Sequence, residues 1–155
     1  MQPRMLKYQL NDEEIGKLLA EVTLGHLATV SKDGQPYVIP LNFVILEGKI
    51  YFHGRGQGQK IDNLSFEPRV CFEAAIEDGY TQGPGACSTT ARFRSAIAVG
   101  TASIVEDKDK VILVLTQFSR KYAPQHAEPD FPEEHLSKTT VIEVTVTKWT
   151  GKYHS

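Results

Sequence analysis

The sequence predicts a mainly β (α+β) domain, in which about six antiparallel strands close or half-close into a barrel flanked by short helices. Three observations predict it. Short extended segments in the first half are joined by tight turn signals, Lys32-Asp33-Gly34-Gln35 and Glu47-Gly48, which mark a meander. Longer extended segments follow a helical crossover. Alternating βαβ units are absent, which excludes a doubly wound sheet.

The elements follow in order. Asn11 reads as an N-cap with Glu14 three residues on, a capping box, and Leu10 and Ile15 fit the hydrophobic staple around it. Ile15, Leu18, Leu19 and Val22 form a helical stripe that ends at Gly25. His26 to Val30 is a short strand. Pro36 to Leu46 is one long extended stretch, in which Pro40 calls for an edge position or a bulge. Lys49 to His53 completes the meander. Ile61, Leu64 and Phe66 suggest a short helix stopped by Pro68, and Val70 to Ala75 is a strand. Glu77 to Thr90, rich in Gly, Ser and Thr, reads as loop. Arg92 to Val105 is a long strand with a bend at Gly100. Val111 to Tyr122 is helical, residues 123–132 connect, and Thr139 to Thr147 is the last strand.

Composition narrows the function classes. A chain of 155 residues is expected to form one domain, here residues 1–155, large enough for its own core. Hydrophobic residues at 41%, charged residues at 23% and a net charge of -2 exclude disorder and a nucleic-acid binder that relies on a basic surface. No apolar run approaches the roughly 18–20 residues of a membrane span. The N-terminal stretch lacks the apolar core of a signal peptide, and two cysteines make no disulfide scaffold, so a cytoplasmic location is expected.

The most chemical segment is Gly54-Arg55-Gly56-Gln57-Gly58-Gln59-Lys60, where glycines precede a Lys-led helix. Such a loop lets backbone N–H groups approach an anion at a helix N-terminus, with Arg55 and Lys60 adding charge. The competing reading is a flexible loop with two solvated cations. Neither a P-loop nor the dinucleotide fingerprint fits, because Ile61 stands at the Ser/Thr position and the glycines are mis-spaced. His53, beside this loop, can supply a proton near neutral pH or serve as a structural hydrogen-bond donor. His26 and His154 read as solvated, Cys71 as core and Cys87 as more exposed. The histidines and cysteines show no zinc spacing, and there is no Gly-x-Ser-x-Gly elbow. Trp149, placed after the last strand, serves packing or stacks on a planar ligand.

The run Gly25-His26-Leu27-Ala28-Thr29-Val30, with Asp33 to Phe43 after it, resembles the opening of pyridoxamine 5'-phosphate oxidase-like split-barrel flavoproteins, and is most similar to their nitroimidazole-resistance branch. Tyr51-Phe52-His53-Gly54 continuing to Leu64, and Arg92-Phe93-Arg94-Ser95 followed by Gly100, extend the resemblance over nearly the whole chain. It implies a six-stranded antiparallel split barrel that forms a homodimer, with FMN in two clefts between the subunits. On that resemblance, Val38, Ile39, Pro40, Leu41 and Asn42 would run along the isoalloxazine ring. His53, Gly54 and Arg55 would lie near the ribityl chain. Gln59 and Lys60 would hold the phosphate, and Arg94 and Ser95 would reach the phosphate or ribityl region. Trp149 would reach the flavin from the partner chain. Two features depart from the pattern: Ala96 stands where a bulkier residue is common, and no C-terminal arginine pair awaits a pyridoxal substrate. The activity implied is an FMN-dependent reductase with His53 assisting proton transfer, a small-molecule electron donor, and an electron-poor acceptor of nitroimidazole type. The alternative is a binding protein of the same fold that holds flavin, haem or a deazaflavin coenzyme without turnover.

Overall fold

The computed structural model describes residues 6–126 and 130–154. Eight antiparallel strands form one curled sheet: β1 (Gln9–Leu10), β2 (Gly25–Val30), β3 (Pro36–Leu41), β4 (Val44–Leu46), β5 (Lys49–Gly54), β6 (Arg69–Thr81), β7 (Thr90–Ile104) and β8 (Thr140–His154). The sheet order is β3-β2-β6-β7-β8-β5-β4, with β1 on β8. Among the described residues, α1 (Asp12–Glu21), α2 (Gln59–Phe66), α3 (Lys108–Tyr122) and α4 (Glu133–Leu136) flank it. The split barrel is as the sequence predicts, and the six longer strands are its frame. β1 and the three-residue β4 are the additions.

The capping box of α1 is present, with the Asn11 side chain accepting from the Glu14 amide at 3.0 Å and Glu14 accepting from the Asn11 amide at 2.8 Å. Its stripe of Ile15, Leu18 and Leu19 enters the main core with Leu27, Phe43, Phe52 and Phe72. Phe72 packs against Phe43 at 4.8 Å and Phe52 at 5.7 Å between ring centroids. Burying rings of this size stabilises the fold by about 1.5–3 kcal/mol each. Ala96, Ala98, Gly100 and Ala102 present the inner face of β7, where small residues leave room for those rings. A smaller core, with Val114, Leu115 and Phe118 of α3 against Tyr51 and Val141, seals the β4–β5–β8 side.

Three expectations from the sequence need correction. The stretch 36–46 is two strands, β3 and β4, because the chain turns at Asn42 and Phe43. There Tyr122 intervenes, its hydroxyl accepting from the Phe43 amide at 2.9 Å and lying 2.7 Å from the Phe43 carbonyl. β6 continues to Thr81, so much of the expected 77–90 loop is hairpin. A register shift between Glu77 and Tyr80, with Gly79 at φ 87°, carries the pairing through this polar stretch. β8 runs to His154 rather than Thr147, so Trp149 sits inside a strand, paired with Ala98. A second shift, between Val99 and Gly100, lies where a bend was predicted; a Cβ on Gly100 would meet the Thr145 carbonyl oxygen at 2.4 Å.

β8 holds the sheet together. One edge pairs with β7 along its length. The other pairs with β5 over residues 140–144 and with β1 over 151–152. Among the described residues nothing pairs with 145–150 on that second edge, and this is where the barrel is split.

Candidate functional site

The strand β5 delivers His53 and Gly54 to the barrel rim, where they pair with Val141 and Thr140. The glycine loop then leads into α2. Gly58 is its N-cap at φ 106°, a left-handed backbone that favours glycine, and the helix has no side-chain cap. The amides of Gln59 and Lys60, first in the helix, have no carbonyl behind them within α2 to accept. The helix is anchored from below by a buried relay: Gln59 donates to Asn63 at 2.7 Å, and Asn63 donates to the Thr29 hydroxyl of β2 at 2.9 Å. These are the free donors of an anion site, held on a rigid support.

Lys60 reaches back over Gly54, so closely that a Cβ there would stand 3.2 Å from its Nζ. No carboxylate pairs with Lys60 among the described residues, and burial alone pushes its pKa down. His53 has its ring exposed on one side and set edge-on against Phe118 at 4.4 Å on the other. Burial, and then the charge of Lys60, push its pKa below the usual 6.5. Arg55 is exposed in the loop, and a Cβ on Gly56 would collide with the Thr140 hydroxyl at 2.6 Å. His53, Gly54, Gln59 and Lys60 thus form one cluster, chemically suited to a phosphate: an uncompensated ammonium, open amides and a glycine that keeps the approach clear.

β3 forms an edge of the sheet. A proline has no N–H for the ladder, so Pro36 and Pro40 turn their nitrogens to the open edge. The two-residue period places the N–H and C=O of Val38 on that same edge. Val38 is 57% exposed, while Ile39 and Leu41 pack on the core. Asn42 is committed elsewhere, donating to the Thr23 carbonyl at 2.8 Å. The strand can therefore offer backbone groups to a planar polar ligand.

The remaining expected residues lie apart from these. Ser95 and Trp149 line a cleft of about 570 Å³ with Ile97, Lys148 and Lys152. Arg94 is held by two carboxylates, Asp78 at 2.9 Å and Glu21 at 3.0 Å, and offers no free guanidinium to a phosphate. Thr140 beside Gly54 and Lys152 beside Ser95 are twelve residues apart on β8, about 40 Å of strand at about 3.3 Å per residue. One chain brings together the Lys60 group and, separately, the Ser95–Trp149 group.

Sequence reasoning missed two arrangements. Tyr122 fixes the β3–β4 turn, as described, and no local signal marks it. Buried Glu143 accepts from Lys49 at 2.6 Å, from Tyr51 at 2.8 Å and from Lys110, which ties β5, β8 and α3 together. Alternation alone would only have said that Glu143 faces the wrong way for a carboxylate.

The family model described as pyridoxamine 5'-phosphate oxidase matches residues 11–153. The chain belongs to that family. Among solved structures, this oxidase-family chain is similar to a candidate 5-nitroimidazole antibiotic resistance protein from Bacteroides thetaiotaomicron, at 24% identity over 94% of this chain and 86% of that one, with a TM-score of 0.80. It is similar to the FAD and haem binding protein from Mycobacterium smegmatis, at 19% identity over 96% and 74%, with a TM-score of 0.85. It is also similar to the FAD binding protein from Mycobacterium smegmatis, at 25% identity over 94% and 96%, with a TM-score of 0.62. No curated protein matches the chain. No helix among the described residues is long and apolar enough to cross a membrane.

Proposed function

We propose that this protein is an FMN-binding oxidoreductase that works as a homodimer. The observation that carries the reading is Lys60: a half-buried ammonium without a counter-charge among the described residues, beside the open amides of α2 and against Gly54. A flavin phosphate is the anion that also accounts for β3, whose open-edge backbone at Val38 and Pro40 suits the polar side of an isoalloxazine ring. Flavin binding also agrees with what the solved relatives are named for, FAD binding in two of the three.

When bound, the flavin supplies reversible transfer of two electrons, and the protein orients and protects it. A reduced nicotinamide is the proposed donor, and a small electron-poor compound such as a nitroimidazole-type nitroaromatic the acceptor. His53, with its pKa held low, is a neutral base at pH 7 and would pass the proton that accompanies the electrons. Both cysteines are free, which suits a reducing cytoplasm.

Dimerisation would complete the cleft. The outer face of the sheet carries a row across five strands, Val38–Ala28–Cys71–Val99–Lys148, each residue the register partner of the next. Val38, Ile97 and Val99 stand 57%, 39% and 41% exposed on that face. A second copy packed there would cover this apolar strip and bring its own Trp149 and Ser95 toward the first copy's Lys60, which one chain cannot do.

The test is the visible spectrum of the purified protein, followed by titration of the apoprotein with FMN and by nicotinamide oxidation against a panel of nitroaromatic acceptors. Two flavin bands and acceptor-dependent turnover are expected. A Soret band in place of flavin bands would overturn the cofactor, and flavin loading without turnover would leave a binding protein rather than an enzyme.

A further inference from the structure

A cleft of about 380 Å³ opens between the C-terminal halves of α1 and α3, within the range of about 300–1,000 Å³ typical of small-molecule sites. Gly16, Leu19 and Ala20 line it from α1, at positions i, i+3 and i+4, so they share one helix face. Gln117, Arg120 and Lys121 line it from α3 at the same spacing. Val44 and Ile45 of β4 complete the wall. None of these residues belongs to the Lys60 group, to β3 or to the Ser95–Trp149 group.

The α1 and β4 walls are apolar, and the α3 wall is basic. Gly16 is the unusual apolar member. Glycine inside a helix is less favourable than alanine, yet a Cβ on Gly16 would meet nothing within 4 Å. Packing therefore does not call for glycine here; the missing side chain leaves that wall open. On α3, Arg120 and Lys121 have no carboxylate partner among the described residues, and no carboxylate lines the cleft. The Lys121 ammonium donates to the Leu19 carbonyl at 3.1 Å and stands 4.0 Å from the centre of the Phe43 ring. A carbonyl and a ring face supply partial negative charge but no counter-ion, and the hydrogen bond uses one of three N–H groups. Burial pushes the Lys121 pKa from 10.5 down to about 8, as for a desolvated cation that lacks its partner.

The helix ends decide what kind of anion fits. Leu19 and Ala20 stand in the last turn of α1, and Arg120 and Lys121 in the last turn of α3. The negative ends of two helix dipoles oppose a multiply charged group such as phosphate, so a single negative charge suits the two cations better. The guanidinium fork of Arg120 matches the paired oxygens of a carboxylate. The apolar walls favour a ligand with an apolar body behind that charge. We infer that the cleft between α1 and α3 binds a small organic monocarboxylate, its carboxylate held by Lys121 and Arg120 and its apolar body lying over Gly16 against Leu19, Val44 and Ile45. This site stands whether or not the chain holds flavin.

The experiment titrates the full chain, as purified, with phenylbutyrate, its neutral amide phenylbutyramide, acetate and inorganic phosphate, followed by calorimetry. The variants are Arg120→Gln, Lys121→Gln and Gly16→Leu. Arg120 and Gly16 are exposed, so neither change should lower the melting temperature, and Lys121→Gln keeps a donor for the Leu19 carbonyl. The native chain should bind phenylbutyrate more tightly than phenylbutyramide by about 10- to 150-fold, the range of a charge-assisted contact, and more tightly than acetate or phosphate. Arg120→Gln and Lys121→Gln should each narrow the difference between acid and amide. Gly16→Leu should fill the cleft and weaken both. Absence of phenylbutyrate binding at millimolar concentration overturns the inference. Equal affinity for acid and amide removes the two cations from it, and acetate or phosphate binding as tightly as phenylbutyrate removes the apolar body; either result overturns it. Native affinity in Gly16→Leu would put the ligand elsewhere and overturn the assignment of this cleft.

Discussion

Lys60 acts on His53 before any ligand arrives. The ammonium of Lys60 is held near His53 with no carboxylate to offset it, so each proton placed on His53 is opposed by a fixed positive charge. Lys60→Ala should raise the His53 pKa, followed by imidazole proton resonances, but not restore it fully, because burial is the larger cause. The same variant should weaken FMN binding by about 10- to 150-fold, the loss of a charge-assisted contact worth about 1.5–3 kcal/mol, with little change in the melting of the apoprotein. Unchanged FMN affinity would remove Lys60 from the phosphate site. Because the folded His53 pKa lies below its unfolded 6.5, the unfolded chain binds the proton more readily there. Its contribution to apoprotein stability is therefore complete above about 6.5 and is lost as pH falls through that value. His53→Ala should flatten that part of the stability profile. If His53 passes the proton, turnover of the loaded variant falls by about 10²- to 10⁴-fold while FMN affinity holds within a few-fold.

Among the elements, the β5–β8–α3 junction depends on one carboxylate. Burial would raise the Glu143 pKa, but the hydrogen bonds from Lys110, Lys49 and Tyr51 outweigh it and bring the group down to about 2. Folded below its ordinary 4.5, Glu143 stabilises the protein fully above that value and loses the contribution as pH falls toward about 2. The scale is about 3.5 kcal/mol, from about 1.4 kcal/mol per pKa unit between 4.5 and about 2. Melting temperatures measured from pH 7 to pH 3 should fall more steeply for the native chain than for Glu143→Gln, which should already be the less stable at pH 7. Equal slopes would show that the two lysines do not hold the carboxylate in solution. This junction supports the site, because β5 carries His53 and α3 supplies Phe118 behind its ring.

At the scale of the whole molecule, the proposed homodimer rests on the apolar row from Val38 to Val99. Its residues come from four strands, and the sheet order β3-β2-β6-β7 sets them side by side. A homodimer burying more than about 2,000 Å² is expected on this face, the scale of obligate pairs. Val99→Glu would place a charge within the strip, and in a two-fold interface it would do so twice. Sedimentation at low micromolar concentration should find a dimer for the native chain and a monomer for Val99→Glu with reduced flavin affinity. A native monomer that binds FMN tightly would end the shared-cleft reading and leave Trp149 without its place at the flavin.

The sequence by itself determined the local grammar of this protein. The capping box of α1, the turns at Asp33-Gly34 and Glu47-Gly48, the choice at Pro40 between an edge position and a bulge, and the glycine approach to α2 all follow from a few adjacent residues, whose backbone preferences and hydrogen-bond needs are local. Resemblance to a family supplied the split barrel, and with it the expectation of a flavin. Tertiary structure alone decided the rest. β6 and β8 run on through Gly79 and Gly151 because neighbouring strands supply ladder partners, a gain that polar and small residues do not announce in sequence. Glu143 is buried because lysines from β5 and α3 converge on it, and Arg94 is held by Glu21 and Asp78, both distant in sequence, which leaves it no free guanidinium. The separation of Lys60 from Trp149 was equally hidden, since it depends on the length and register of β8, and register is fixed by partners rather than by the strand's own residues.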